Sequence, residues 1–191
     1  MPEKRQDVLD FLLTRRSRPA KTLGPEAPDR AELEMLLTAA SRTPDHGKLV
    51  PWRFVVLSDP ARRAQLAETT AKHMRAQGYA EDRVEKLTTT AGYGGAVIAV
   101  IASPKASASI PVWEQELAAG GVCLALVNAA LAAGWGANWL TGPLARDADF
   151  LAEAFGATEG EFVAGFIHIG NERMTPADRD RPDLEAIVTW H

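Results

Sequence analysis

Apolar positions along the chain fall into two rhythms. Val8, Leu9, Phe11, Leu12 and Leu13 recur at helical spacing and predict an amphipathic first helix ending near Thr14. The prolines and glycine of RRSRPAKTLGPEAP, residues 15–28, then forbid a long helix and mark an ordered loop. Asp29 reads as the N-cap of a second helix with Leu33, Leu36, Leu37 and Ala40 on one face, stopping before Pro44. Residues 52–57, WRFVVL, are β-branched and aromatic and predict a strand. Charged helices follow over about 60–77 and 81–90. AVIAVIA, residues 96–102, is a continuous apolar run, as in a strand covered on both faces. The remaining pattern predicts a long helix over 112–133, a strand over 136–140, a short helix over 146–155 and a last strand over 162–169. A polar, proline-containing tail from Asn171 ends in the apolar positions Leu184, Ile187, Val188 and Trp190. No repeat or low-complexity segment interrupts this order. It predicts one domain over 1–191, of α+β or α/β class with a mixed sheet.

Composition narrows the setting. Hydrophobic residues make up 46% and charged residues 24%, the mix of a soluble globular protein. A net charge of −4 lacks the basic face that generic nucleic-acid binding needs, so any polyanion site must be local. The single cysteine, Cys123, allows no internal disulfide and suits a reducing cytoplasm; the N-terminus MPEKRQDVLD carries no apolar signal core. Residues 117–134 are apolar apart from Asn128 and approach the length of a membrane span, but their Ala/Gly-rich make-up without a basic flank reads as a buried central helix.

Four clusters carry candidate chemistry. Arg15-Arg16-Ser17 places two guanidinium groups and a hydroxyl in one loop, a set that suits a phosphate, although a helix end attracts solvated cations too. Arg42, Asp45, His46 and Lys48 crowd the loop between a helix and the strand at 52–57, where binding residues collect. In GWGANWLTG, residues 134–142, glycines let backbone approach a flat ligand and offer N–H donors, or form a plain helix cap and turn. Arg179 and Arg181 project to one side of an extended tail. The four histidines lie far apart and no Cys/His spacing matches a metal site. Ser17, Ser41 and Cys123 lack an adjacent base, and Cys123 reads as an inert core thiol. Glu114 and Glu116 are explained by the dipole at a helix start.

Taken together, the early RRS loop, the Pro-Asp-His loop leading into PWRF, the Ala/Gly-rich helix running into GWGANWLTG and the RPDLEAIVTW ending resemble the FMN-dependent nitroreductase family, in its compact bacterial NAD(P)H-nitroreductase-like subgroup. The resemblance implies an α+β fold, with a mixed, mainly antiparallel sheet flanked by helices and a long central helix at a homodimer interface. It implies a ping-pong oxidoreductase in which hydride passes from NADH or NADPH through FMN to a small electron-poor acceptor, with no catalytic protein nucleophile. Storage or sensing of FMN without turnover, or flavin chemistry such as desaturation or dehalogenation, would fit the same residues. By this resemblance Arg15, Arg16 and Ser17 hold the phosphate end, Arg42 and His46 reach the flavin from the partner subunit, and Trp139, Leu140 and Thr141 lie beside the ring. Arg179 and Arg181 fall at basic phosphate ligands, and Ala129, Ala130, Leu131, Ala132, Ala133 and Gly134 match a stretch associated with NAD(P). Two departures stand out. Pro19 occupies the place of a basic residue beside the flavin, for which Arg18 or Lys21 is the substitute at hand, and Lys48 and Val50 replace the usual Asn and Gln.

Overall fold

The computed structural model describes residues 3–191. Its helices are α1 (Gln6–Thr14), α2 (Arg30–Ala40), α3 (Pro60–Ala76), α4 (Glu81–Ala91), α5 (Val112–Ala132), α6 (Ala148–Phe155) and α7 (Leu184–Ile187). Its strands are β1 (Trp52–Leu57), β2 (Ala96–Ala102), β3 (Gly136–Leu140) and β4 (Phe162–Gly170). The sheet order is β1-β2-β4-β3, and all three ladders are antiparallel. The expected mixed, mainly antiparallel sheet is thus antiparallel throughout the described residues: β2 and β3, joined through α5, run the same way, but β4 lies between them in the opposite direction.

β2 is buried along its whole length. Its alternate side chains enter two cores, as a period of two requires. Ile98, Val100 and Ala102 pack with Leu33, Leu36 and Ala40 of α2 and with Val122, Cys123 and Leu126 of α5. Val97, Ala99 and Ile101 pack with Leu66 and Met74 of α3, Val84 of α4 and Phe150 and Leu151 of α6. The result is three layers, with helices on both faces of a sheet.

Local chemistry sets the helix ends. Asp29 and Glu32 form a reciprocal capping box that starts α2. Asp147, not Arg146, caps α6 by accepting from Phe150 N–H at 2.7 Å, and Gly156 closes that helix in the left-handed region at φ 60°.

α5 is long and apolar enough to cross a membrane. It instead lays Ala119, Val122, Cys123, Leu126, Val127 and Ala130 on the sheet, which supports the core reading. Only that face is covered: Leu117 is 66% exposed, and Trp113 and Leu124 are exposed with it. α1 buries none of its residues, and Trp190 in the tail is 90% exposed.

On β4, His168 is only 2% exposed, and its Nδ1–H donates to the Tyr93 carbonyl at 3.0 Å. Burial lowers its pKa from the ordinary 6.5, so the native state resists its protonation. The unfolded chain therefore binds the extra proton first, and native stability falls as pH drops below about 6.5. His168→Asn keeps a donor and removes the charge. The stability of the parent relative to this variant is expected to decline between pH 7.5 and pH 5 in urea titrations; a difference that does not change with pH contradicts the assignment.

Candidate functional site

Arg15 and Arg16 leave the end of α1 and run along the outer edge of β3. The loop is stitched there by Arg18 N–H donating to Ala137 O at 2.9 Å and by Asn138 Nδ2 donating to Arg18 O at 2.6 Å. Arg15, Arg16 and Ser17 line one side of a cleft of about 360 Å³, and Arg179, Asp180, Arg181 and Pro182 line the other. Two clusters far apart in sequence, the RRS loop and the tail arginines, therefore converge.

Asp180 lines this cleft as well, but it lies outside ion-pair distance of Arg15 and Arg16. Arg15 Nη1 donates to Asn128 Oδ1 at 3.0 Å and Nη2 to Ser17 Oγ at 3.4 Å, both neutral acceptors. Arg16 Nη1 donates to Ser17 O, and its Nε is buried without a partner. Burial, together with the charges of Arg181 and Arg16, holds the pKa of Arg15 below its ordinary value. Among the described residues no ion pair involves Arg15 or Arg16, and Arg181 pairs only with exposed Asp178. A group of guanidiniums held together, with a buried N–H unmet, is built to receive an anion.

Arg18 is committed elsewhere. Its Nη1 donates to Arg16 O and its Nε lies 2.8 Å from Glu172 Oε2. Lys21 has no ion pair among the described residues. It lines an open groove of about 490 Å³ with Lys86, Thr89 and Thr90 of α4, Tyr93 and Leu140. Of Arg18 and Lys21, only Lys21 makes no ion pair among the described residues, and Asp82 and Glu85 line its groove too.

β3 is an edge strand, and its alternation governs what it offers. Ala137 O meets Arg18 on the free edge, so the N–H of Trp139, two residues on, points the same way. The indole of Trp139 folds back over Gly165, where an added Cβ would lie 2.2 Å from Nε1. Its N–H donates to Ala164 O at 3.2 Å. Ala164 is the extra residue of a bulge in β4, since Val100 pairs with Gly165 and Ile101 with Val163. The bulge frees the carbonyl that the indole uses. Leu140 faces the opposite side, between the groove and an apolar cavity lined by Met74, Leu87, Phe150 and Phe166; Thr141 lines that cavity as well.

Arg42 and His46 lie elsewhere. His46 Nδ1 is 2.7 Å from Glu114 Oε2 at the start of α5, so Glu114 has a partner beyond the helix dipole. Asn128, beside Arg15, is fourteen residues further along the same helix, about 21 Å at the usual rise per residue. One chain therefore does not bring these residues to its own arginine cleft. Their loop is strained. Lys48 and Val50 have φ of 56° and 49°, the latter a β-branched residue before Pro51. Asp45 holds it by accepting from Val50 N–H at 2.7 Å.

The stretch 129–134 forms the last turn of α5 and its cap. Ala130 is wholly buried in the core, whereas Ala132, Ala133 and Gly134 are exposed. Cys123 is buried, and burial pushes its thiol pKa to about 12, in keeping with an inert core group. No cluster of metal-ligating side chains occurs among the described residues. Asn128, Tyr93 and the α4 face of the groove carry no motif. Asn128 alone leaves a trace in the sequence, as the one strongly polar position of its apolar stretch.

A family model described as Nitroreductase family matches residues 12–171. A protein of Escherichia coli K12 named "Putative NAD(P)H nitroreductase YdjA" is 30% identical over 185 residues, covering 96% of this chain and 99% of its own. A Haemophilus influenzae protein named "Putative NAD(P)H nitroreductase" is 35% identical over 176 residues, covering 91% and 92%. Among solved structures, a nitroreductase-like family protein from Bacillus cereus superposes with a TM-score of 0.79 at 20% identity, over 100% of this chain and 99% of that one. An FMN-dependent nitroreductase from Clostridium difficile superposes with a TM-score of 0.70 at 18% identity, over 96% and 99%. The fold, the order of the motifs and the family model agree: the chain belongs to the nitroreductase family of oxidoreductases.

Proposed function

We propose that the protein is an FMN-dependent NAD(P)H oxidoreductase that works as a two-fold homodimer in the cytoplasm and reduces a small electron-poor acceptor. The observation that carries this reading is the arginine cleft in which Arg15 and Arg16 have no ion-pair partner and Arg16 Nε is buried and unmet, at the end of an exposed strand edge. Those residues fit the cofactor. Arg15, Arg16, Ser17 and the tail arginines Arg179 and Arg181 would hold its phosphate, and the edge of Trp139, Leu140 and Thr141 would hold its ring. When bound, FMN supplies a hydride relay from NADH or NADPH to the acceptor, in two half-reactions that share one site. The chain's own task is to bind, orient and polarise. Lys21 provides a positive neighbour where Pro19 cannot, and the groove between α4 and Leu140 admits the acceptor. The exposed end of α5 at Ala132–Gly134 is the part of 129–134 open to the electron donor; Ala130 is not. The names of the E. coli and H. influenzae relatives and of the C. difficile structure support the same donor and cofactor.

The dimer has its own support. The chain exposes 11545 Å², against about 8,900 Å² expected of a compact monomer of its mass. The excess is of the size that obligate interfaces bury. Trp113, Leu117, Gly120, Leu124 and Asn128 form one stripe on the open face of α5. Residue 121 is the midpoint between Glu114 and Asn128, and a Cβ at Gly120 would meet nothing within 4 Å. Two α5 helices crossing about a two-fold axis at Gly120 would bring Arg42 and His46 of one subunit to the arginine cleft of the other.

Three outcomes test this. The purified protein is expected to be yellow and to bleach on anaerobic mixing with NADH or NADPH; a flavin that stays oxidised removes the enzymatic reading. Replacing Arg15 and Arg16 together with alanine should strip FMN, at about 1.5–3 kcal/mol for each charged hydrogen bond lost. A double variant that stays yellow contradicts the phosphate assignment. Gly120→Arg fits the single chain but not the crossing, so sedimentation should show a folded monomer that has lost FMN; a dimer retaining its flavin contradicts the interface.

A further inference from the structure

We infer that Asn128 is the positioning residue of the phosphate cleft, holding Arg15 through an amide so that the guanidinium stays fixed yet unneutralised. The inference rests on the reading of that cleft as the FMN phosphate site. Asn128 is half-buried on α5, in a stretch where every other position from 117 to 134 is apolar or glycine. Its Oδ1 accepts from Arg15 Nη1 at 3.0 Å, across 113 residues of sequence. This bond links the helix that lies on the sheet to the loop that lies on the edge of β3.

The chemical type of the tether matters as much as its place. Arg15 sits half-buried beside Arg16 and within the field of Arg181, where an isolated cation is disfavoured. A carboxylate at position 128 would relieve that repulsion and hold Arg15 equally well. It would also cancel at short range the charge that an incoming phosphate needs. An amide acceptor satisfies one N–H, fixes the plane of the guanidinium and leaves its net charge in place. Ser17 Oγ, a second neutral acceptor at 3.4 Å, repeats the pattern. The cleft is thus kept less stable when empty so that it binds the anion more tightly.

Asn128→Asp separates this role from ordinary packing, because stability and affinity should move in opposite directions. The full-length chain, stripped of flavin, is titrated with FMN and with riboflavin, which lacks the phosphate, and its thermal midpoint is recorded without ligand. Asn128→Asp should weaken FMN by roughly tenfold to a hundredfold, leave riboflavin unchanged and raise the midpoint of the empty protein. Asn128→Leu should weaken FMN and lower that midpoint. The inference is overturned if Asn128→Asp affects both flavins alike, leaves FMN affinity intact, or destabilises the empty protein. A parent chain that takes up no FMN removes the reading of the cleft itself, a result distinct from any of these.

Discussion

β2 is the constraint on which the rest depends. Seven consecutive residues with no exposed side chain must be covered on both faces, and the chain meets this by placing α2 and α5 on one side and α3, α4 and α6 on the other. Laying α5 on the sheet fixes the site in turn. Its inner face is held by Val122, Cys123 and Leu126, its C-terminal half presents Asn128 to Arg15, and the chain leaving it becomes the edge strand β3. The loop therefore rests on rigid elements at both ends: α1 leads into Arg15 and Arg16, and β3 pins the backbone at Arg18 through Ala137 and Asn138. Small residues make the close approaches possible. Gly121 admits Thr43 after α2, and Gly165 admits the Trp139 indole.

The arginine cleft runs against the general economy of a fold. Like charges are normally separated or paired, yet Arg15 and Arg16 are gathered near Arg181 with only neutral acceptors of their own and one unmet N–H. Elsewhere the same chain pairs its guanidiniums well. Arg53 makes two 2.9 Å bonds to Glu161, and that carboxyl is held down to about 2 mainly by this partner. Arg63, buried, donates to the carbonyls of Ser58 and Gly95. Arg63 does without a counter-ion because carbonyls meet it; what sets Arg15 and Arg16 apart is that two guanidiniums share one cleft and an Nε is left unmet.

Much of this was legible in the residues. The period-two and helical rhythms placed all four strands and the main helices, since the apolar faces they mark are the faces the two cores bury. The RRS loop and tail arginines were legible as separate basic clusters; that they converge was implied only by the family resemblance, because up to 166 residues separate the groups that meet there. The bulge at Ala164, which turns the Trp139 indole, leaves no mark in a strand reading FVAGFIHIG. Neither does the commitment of Arg18 to Glu172. Such details depend on which groups reach each other across the sheet edge, and linear spacing does not encode reach.

Backbone strain in this fold gathers away from the arginine cleft. Lys48 and Val50 occupy the left-handed region in an exposed loop, at a typical cost of about 1–3 kcal/mol for each such residue. Both side chains are exposed, and within the chain the loop is held by Asp45, which accepts from Val50 N–H at 2.7 Å. The same loop carries Arg42 and His46, and His46 is tied to Glu114 at the start of α5. A strained loop, an apolar helix face and a tail with Trp190 in solvent all lie on surfaces the single chain leaves uncovered. The proposed homodimer would cover all three. The strain would then hold one subunit's loop at the other's cleft, and the fold would reach its lowest energy and its full set of cofactor contacts in the same assembly step.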